Sequence, residues 1–167
     1  ILGSAINSDV ANSIVAQLLF LEKEDSNRDI TMYIQSPGGA VYSGMAIIDT
    51  MNLIKPDVST VAVGFAASMG SLILTSGAKG KRFALPKSVV MIHQPLGGAE
   101  GQASDIEITA REILRIKDLS AQIIADSTGK DKDKVMEDMD RDNYMPAARA
   151  LEYGLVDKII EKPEDAN

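Results

Sequence analysis

Chemistry is concentrated in three short stretches of this sequence. In Gly64-Phe65-Ala66-Ala67-Ser68-Met69-Gly70 a serine lies between two apolar runs and is flanked by small residues. The pattern is a relative of the G-x-S-x-G nucleophile elbow, with Ala66 in place of the first glycine. Small neighbours let a substrate backbone approach, and a helix starting at Met69 would offer unpaired N–H groups and a positive dipole end. A serine in that place is equally suited to capping the helix. His93, the only histidine, ends the apolar run Val89-Val90-Met91-Ile92. If an imidazole activates a serine here, this is the one available, although a lone histidine beside apolar residues is commonly a packed core residue.

Ser36-Pro37-Gly38-Gly39 is the third stretch. Two glycines in succession can present backbone N–H groups to a developing oxyanion, with the Met69 N–H as a second donor. The same four residues also make an ordinary tight turn. A carboxylate to orient His93 cannot be selected by physics alone from 24 acidic residues. Asp140-Arg141-Asp142-Asn143 is set apart from the acidic run before it because it falls between two predicted helices.

These residues need a scaffold that carries them to strand ends, where open α/β sheets place their ligands. Asn7 or Ser8 caps an amphipathic helix through Val10, Ile14, Leu18 and Leu21, ending at Glu22-Lys23-Glu24. A strand over 30–35, a glycine turn and a helix through Met45 to Ile54 follow. The unit repeats as a strand over 58–63, a small-residue turn over 64–68 and a helix over 69–76. Short strands are expected over 83–85 and 88–92, and helices over 104–126, 131–139 and 147–153. A last strand is expected over 156–160. Successive βα units imply a largely parallel sheet in one α/β domain. The acidic tail 161–167 reads as frayed.

Composition removes whole classes of function. The 167 residues are 45% hydrophobic and 25% charged, the balance of a single folded domain. A formal charge of −7 opposes binding to phosphate backbones, so no nucleic-acid partner is expected. No apolar run approaches the roughly 20 residues of a membrane span, and no membrane partner is expected. Without cysteine there is no thiolate catalysis and no cysteine-ligated zinc; no metal or organic cofactor is implied. The start at Ile1-Leu2-Gly3, with no initiator Met, reads as an ordered piece of a longer chain.

The serine heptapeptide, Val90-Met91-Ile92-His93-Gln94-Pro95, Lys79-Gly80-Lys81-Arg82-Phe83, Asp140-Arg141-Asp142 and Ala150-Leu151-Glu152-Tyr153-Gly154-Leu155-Val156-Asp157 together resemble the proteolytic subunit of the Clp protease family, over essentially the whole chain. The resemblance implies Ser68 as nucleophile, His93 as base and Asp142 as third member of a triad, with Gly39 and Met69 N–H groups as the oxyanion hole. It implies a crotonase-like spiral of βα units, with a head of residues 1–95 and 127–160. A protruding handle over about 96–126 would be built from a strand at 97–103 and the long helix. It also implies two stacked seven-membered rings around a chamber for unfolded polypeptides, fed by a hexameric AAA+ unfoldase that alone uses ATP. The setting would be cytoplasmic and bacterial, with an organelle as the alternative.

By the same resemblance Asp140 and Arg141 make contacts between rings, and Tyr33 belongs to the unfoldase docking surface. Thr31 and Leu53 stand where many members carry aromatics. The family's N-terminal axial segment would precede Ile1 and is absent from this sequence. Three other readings are open: a catalytically silent ring subunit, a crotonase-type acyl-CoA enzyme that needs no serine nucleophile, and a Ser-Lys protease using Lys79 or Lys81.

Overall fold

A computed structural model describes residues 1–162 and 165. The elements alternate. Helix α1 (Ser8–Glu24) leads to strand β1 (Ile30–Ser36), α2 (Val41–Leu53), β2 (Val58–Ala67) and α3 (Met69–Thr75). Then come β3 (Arg82–Ala84), β4 (Val89–Ile92), α4 (Ala103–Thr128), α5 (Lys132–Asp138), β5 (Asn143–Pro146), α6 (Ala147–Tyr153) and β6 (Lys158–Ile159). Asn7 caps α1 by accepting the Val10 N–H at 2.9 Å. Ala11, Ile14 and Leu18 turn inward from the same helix, at the spacing of one helical face. The α/β class and its mostly parallel sheet agree with the expectation from the successive βα units.

Strand β2 organises the sheet. Along one edge it pairs with β1; along the other it pairs first with β3, through 60–62, and then with β4, through 65–67. Two short strands therefore share one long edge, and the sheet forks there. β6 extends the β3 branch in parallel, while β5 closes the β4 branch as its antiparallel neighbour. The register against β1 shifts between Ile34 and Ser36, where β2 uses extra residues around Gly64 at φ 70°. A bulge of this kind re-aims the strand that continues beyond it.

Several expected boundaries move. The stretch 64–68, expected as a turn, is strand as far as Ala67, because the ladder with β4 satisfies its backbone. β5 was not expected; four residues ending in proline carry too little periodicity to be read as a strand. β6 is shorter than expected. The strand expected over 97–103 is absent, since residues 96–102 find no ladder partner in the chain. Gly97 instead faces Ile113 of α4, where a Cβ would come within 2.6 Å of its Cδ1. Of the expected frayed tail, residues 163, 164, 166 and 167 lie outside the described residues; the Asp165 carboxylate accepts both the Glu161 and Lys162 N–H groups.

The 26 residues of α4 make a rod roughly 39 Å long. Its buried positions, Ile116, Ser120, Ala121, Ile124 and Ala125, all lie in the C-terminal half. The other half projects from the body with Ile106, Ile108 and Leu114 exposed. Among the described residues no helix is long and apolar enough to cross a membrane.

Arg82 pins the branches together. Only 4% exposed, it grips Asp157 with Nε at 2.9 Å and Nη2 at 2.6 Å, and its Nη1 donates to carbonyls at the C-terminal ends of α3 (Thr75, 3.4 Å) and α4 (Ser127, 3.1 Å). One cation thus joins two negative helix ends to the turn before β6. Burial raises the Asp157 pKa, but the Arg82 side-chain and backbone hydrogen bonds and the Gly80 N–H outweigh it and hold the carboxyl below its ordinary value. A depressed pKa contributes stability that is present above the unfolded value of about 3.9 and lost as pH falls through the folded one. Arg82→Ala should cost about 3–5 kcal/mol in urea unfolding, because a half-buried carboxylate is left unpaired. Its deficit should shrink below about pH 4; a deficit that stays constant into acid would contradict the assignment.

Candidate active site

Strand β4 carries the site at its C-terminal end. Antiparallel pairing of Ile92 with Asn143 makes His93 and Asp142 the next opposed pair, just beyond the ladder. On its other side, the parallel register Ala67 to Met91 continues as the Ser68 N–H donates to the Met91 carbonyl at 2.9 Å. His93 therefore lies between the ends of two neighbouring strands. Its Nε2 is 2.7 Å from Ser68 Oγ and its Nδ1 is 2.9 Å from Asp142 Oδ1.

The carboxylate is acceptor-only, so the Nδ1 position facing it carries the proton and the Nε2 lone pair faces the serine hydroxyl. That is the tautomer a general base needs. The His93 side chain is 13% exposed and that of Asp142 is 55% exposed, so the line of three opens to solvent at its acidic end.

Ser68 is the one non-glycine residue with positive φ among the described residues, at φ 55° and ψ −124°. Such a conformation costs about 1–3 kcal/mol and survives only where its surroundings over-determine it. Here the Met91 carbonyl holds the Ser68 N–H, while the Ser68 carbonyl accepts from the Ser71 and Leu72 N–H groups and from Ser71 Oγ. The capping role considered for Ser68 is not what its side chain does. It makes no cap hydrogen bond to α3, and the hydroxyl points to the imidazole.

Two backbone donors belong to the segments that meet at this turn. Met69 is the first residue of α3, so its N–H has no partner within the helix. The Gly38 carbonyl accepts the Ile6 N–H at 2.9 Å, and in a trans peptide the N–H of Gly39 must point the opposite way. The loop approaches closely: a Cβ on Gly38 would lie 2.7 Å from Ser68 Cβ and 3.0 Å from Met69 N. With φ values of 92° and 153°, Gly38 and Gly39 also hold conformations that side chains resist.

The remaining sequence-nominated residues are elsewhere on the surface. Gln94 fastens the loop before Asp142, its Nε2 donating to the Asp140 carbonyl at 2.6 Å; this role was not read from the sequence, though Gln94 directly follows His93. Asp140 also meets Lys117 at 3.7 Å. Arg141 projects outward, 93% exposed, with only a 3.9 Å contact to Asp140. Tyr33 is 46% exposed on the outward face of β1, and Leu53 at the end of α2 is 78% exposed. Lys81 is engaged by Asp29 and Asp57 at the beginnings of β1 and β2, the length of β2 away from Ser68. That separation, roughly 33 Å along the strand, removes Lys81 as a base.

A serine on a strained strand-to-helix turn, hydrogen-bonded to an imidazole that is itself held by a carboxylate, is the arrangement by which serine hydrolases are recognised. A family model described as Clp protease matches residues 1–163, and the chain belongs to that family. It is accordingly a peptidase. Gly38→Ala should lower kcat for a short fluorogenic peptide at least 100-fold without loss of helix content by circular dichroism, because the added methyl displaces Ser68; near-normal turnover would show that the loop tolerates the contact.

Proposed function

We propose that the chain is a serine endopeptidase in which Ser68 is the nucleophile, His93 the general base and Asp142 the group that orients it. The observation that carries this reading is the pair of contacts on opposite nitrogens of one imidazole, 2.7 Å to Ser68 Oγ and 2.9 Å to Asp142 Oδ1. Ser68 Oγ attacks the scissile carbonyl carbon as Nε2 takes its proton. The tetrahedral oxyanion is stabilised by the N–H groups of Gly39 and Met69. Collapse expels the amine, which receives the proton from Nε2, and leaves an acyl-enzyme; water then follows the same route to release the acid. The residues need no metal or organic cofactor for these steps.

Family membership supports the setting. Clp proteases are ring-forming and work with an unfoldase. In this reading two stacked seven-membered rings of the chain enclose the sites, and unfolded polypeptides are delivered in the cytoplasm by a hexameric AAA+ unfoldase, the partner that consumes ATP. The unfoldase contacts the face bearing Tyr33. The free half of α4 and residues 96–102 form the handle between rings, and the exposed Arg141, directly before His93's partner Asp142, makes an ion pair there. The silent-subunit reading has no support in a site whose three side chains are in hydrogen-bonding register, and an acyl-CoA enzyme of related fold would not require the Ser68 turn.

Ser68→Ala and His93→Ala should each reduce peptide hydrolysis by about 10⁴–10⁶ in kcat, and the double variant should be no worse than the singles. Substantial hydrolysis by His93→Ala would exclude the mechanism. For the assembly, Arg141→Ala should lower native mass by light scattering and turnover together; a variant of wild-type mass and wild-type kcat would break the link between ring contact and catalysis.

A further inference from the structure

Ser36 is fully buried at the end of β1, and the proposed chemistry makes no use of its hydroxyl. That hydroxyl is nevertheless engaged in both directions. Ser36 Oγ donates to the Ser4 carbonyl at 2.7 Å and accepts the Gly38 N–H at 3.1 Å. The residue also touches the other half of the site. A Cβ on Gly70, in the first turn of α3, would come within 3.1 Å of the Ser36 carbonyl oxygen and 3.3 Å of its Cβ. Ser36 thus lies between the loop that presents the Gly39 N–H and the helix that presents the Met69 N–H.

The need for such a brace follows from the glycines. Nothing in the side chains of Gly38 and Gly39 prevents the peptide between them from rotating, and a rotated peptide would exchange the directions of its carbonyl and its N–H. Two bonds oppose that rotation. The Ile6 N–H holds the Gly38 carbonyl at 2.9 Å, and Ser36 Oγ holds the Gly38 N–H on the preceding peptide. The Ile6 bond comes from the N-terminal segment, which Ser36 itself ties down through Ser4, so one hydroxyl supports both. Without it a buried N–H loses its acceptor, at a cost that any rearranged loop could recover by finding another.

We propose that Ser36 is a positioning residue of the peptidase, holding the Gly38–Gly39 loop with its N–H toward the oxyanion. This rests on the Ser68 mechanism above. Removing a donor outright from an oxyanion hole costs about 10²–10³ in kcat, so a loosened donor should cost about 10–100-fold.

The test compares wild type, Ser36→Ala and Ser36→Thr on a fluorogenic peptide and on a peptide boronate, whose tetrahedral adduct with Ser68 occupies the hole. Ser36→Ala should lose about 10–100-fold in kcat with KM within twofold, and should lose boronate affinity by a similar factor while native mass and melting temperature stay near wild type. Ser36→Thr, which keeps the hydroxyl, should retain kcat within about threefold; the range expected for a loosened donor sets this scale. The proposal is overturned if Ser36→Ala turns over at the wild-type rate, if boronate affinity is unchanged while kcat falls, or if mass and melting temperature collapse with activity, since the hydroxyl would then support the fold and not the loop. A wild-type protein that neither cleaves the peptide nor loses activity in Ser68→Ala would instead refute the mechanism itself.

Discussion

The pairing of β4 with the ends of two different strands is the constraint on which the site depends. β4 has only four residues, yet its last hydrogen bonds fix Ser68 on one side through the Met91 carbonyl and Asp142 on the other through the Ile92–Asn143 pair. A one-residue slip in either ladder would turn a functional side chain to the opposite face of the sheet. The fork in the sheet matters for the same reason. Because β3 and β4 share an edge of β2, β4 begins where β3 ends and reaches past Ala67, so His93 can lie level with Ser68. The branch is braced from behind by Arg82, whose buried guanidinium joins β3, the ends of α3 and α4, and Asp157.

Around this ladder the chain places glycine wherever backbone must approach backbone. Gly38 faces Ser68, Gly39 faces Ile6, Gly70 faces Ser36, and Gly44 of α2 lies against the side chain of Met69. Layered in this way, the N-terminal segment, the Ser36–Gly39 loop and the first turn of α3 leave little room for side chains between them. Backbone groups are consequently the available electrophilic partners next to Ser68. The strain held at Ser68 is compatible with that packing, because its carbonyl and N–H are both satisfied while its hydroxyl is directed at the imidazole.

What the sequence disclosed and what it concealed divide along the same lines. Helical periodicity located α1, α3 and α6 within a residue or two, and glycine and proline marked the loop at 36–39, because local preference and tertiary structure agree there. Ser68 and His93 stood out through type and position, and the resemblance of flanking motifs added Asp142. Residue pattern alone could not supply that carboxylate, because the pairing of His93 with Asp142 is a property of β5, a strand too short to leave a period. The roles of Ser36, Arg82 and Gln94 were hidden likewise: each acts through contacts to backbone atoms 2 to 46 positions away, which no local pattern encodes. The expected strand over 97–103 failed for the converse reason, since extended residues without a ladder partner in the chain have nothing to define them as strand.

The central claim is that one imidazole, set by the β4 register, activates one serine. Mapping by mass spectrometry of the residue modified by a fluorophosphonate tests it most directly. The account predicts a single adduct on Ser68, abolished in His93→Ala and strongly slowed in Asp142→Asn. Modification of another residue, or undiminished labelling of Ser68 in His93→Ala, would contradict it.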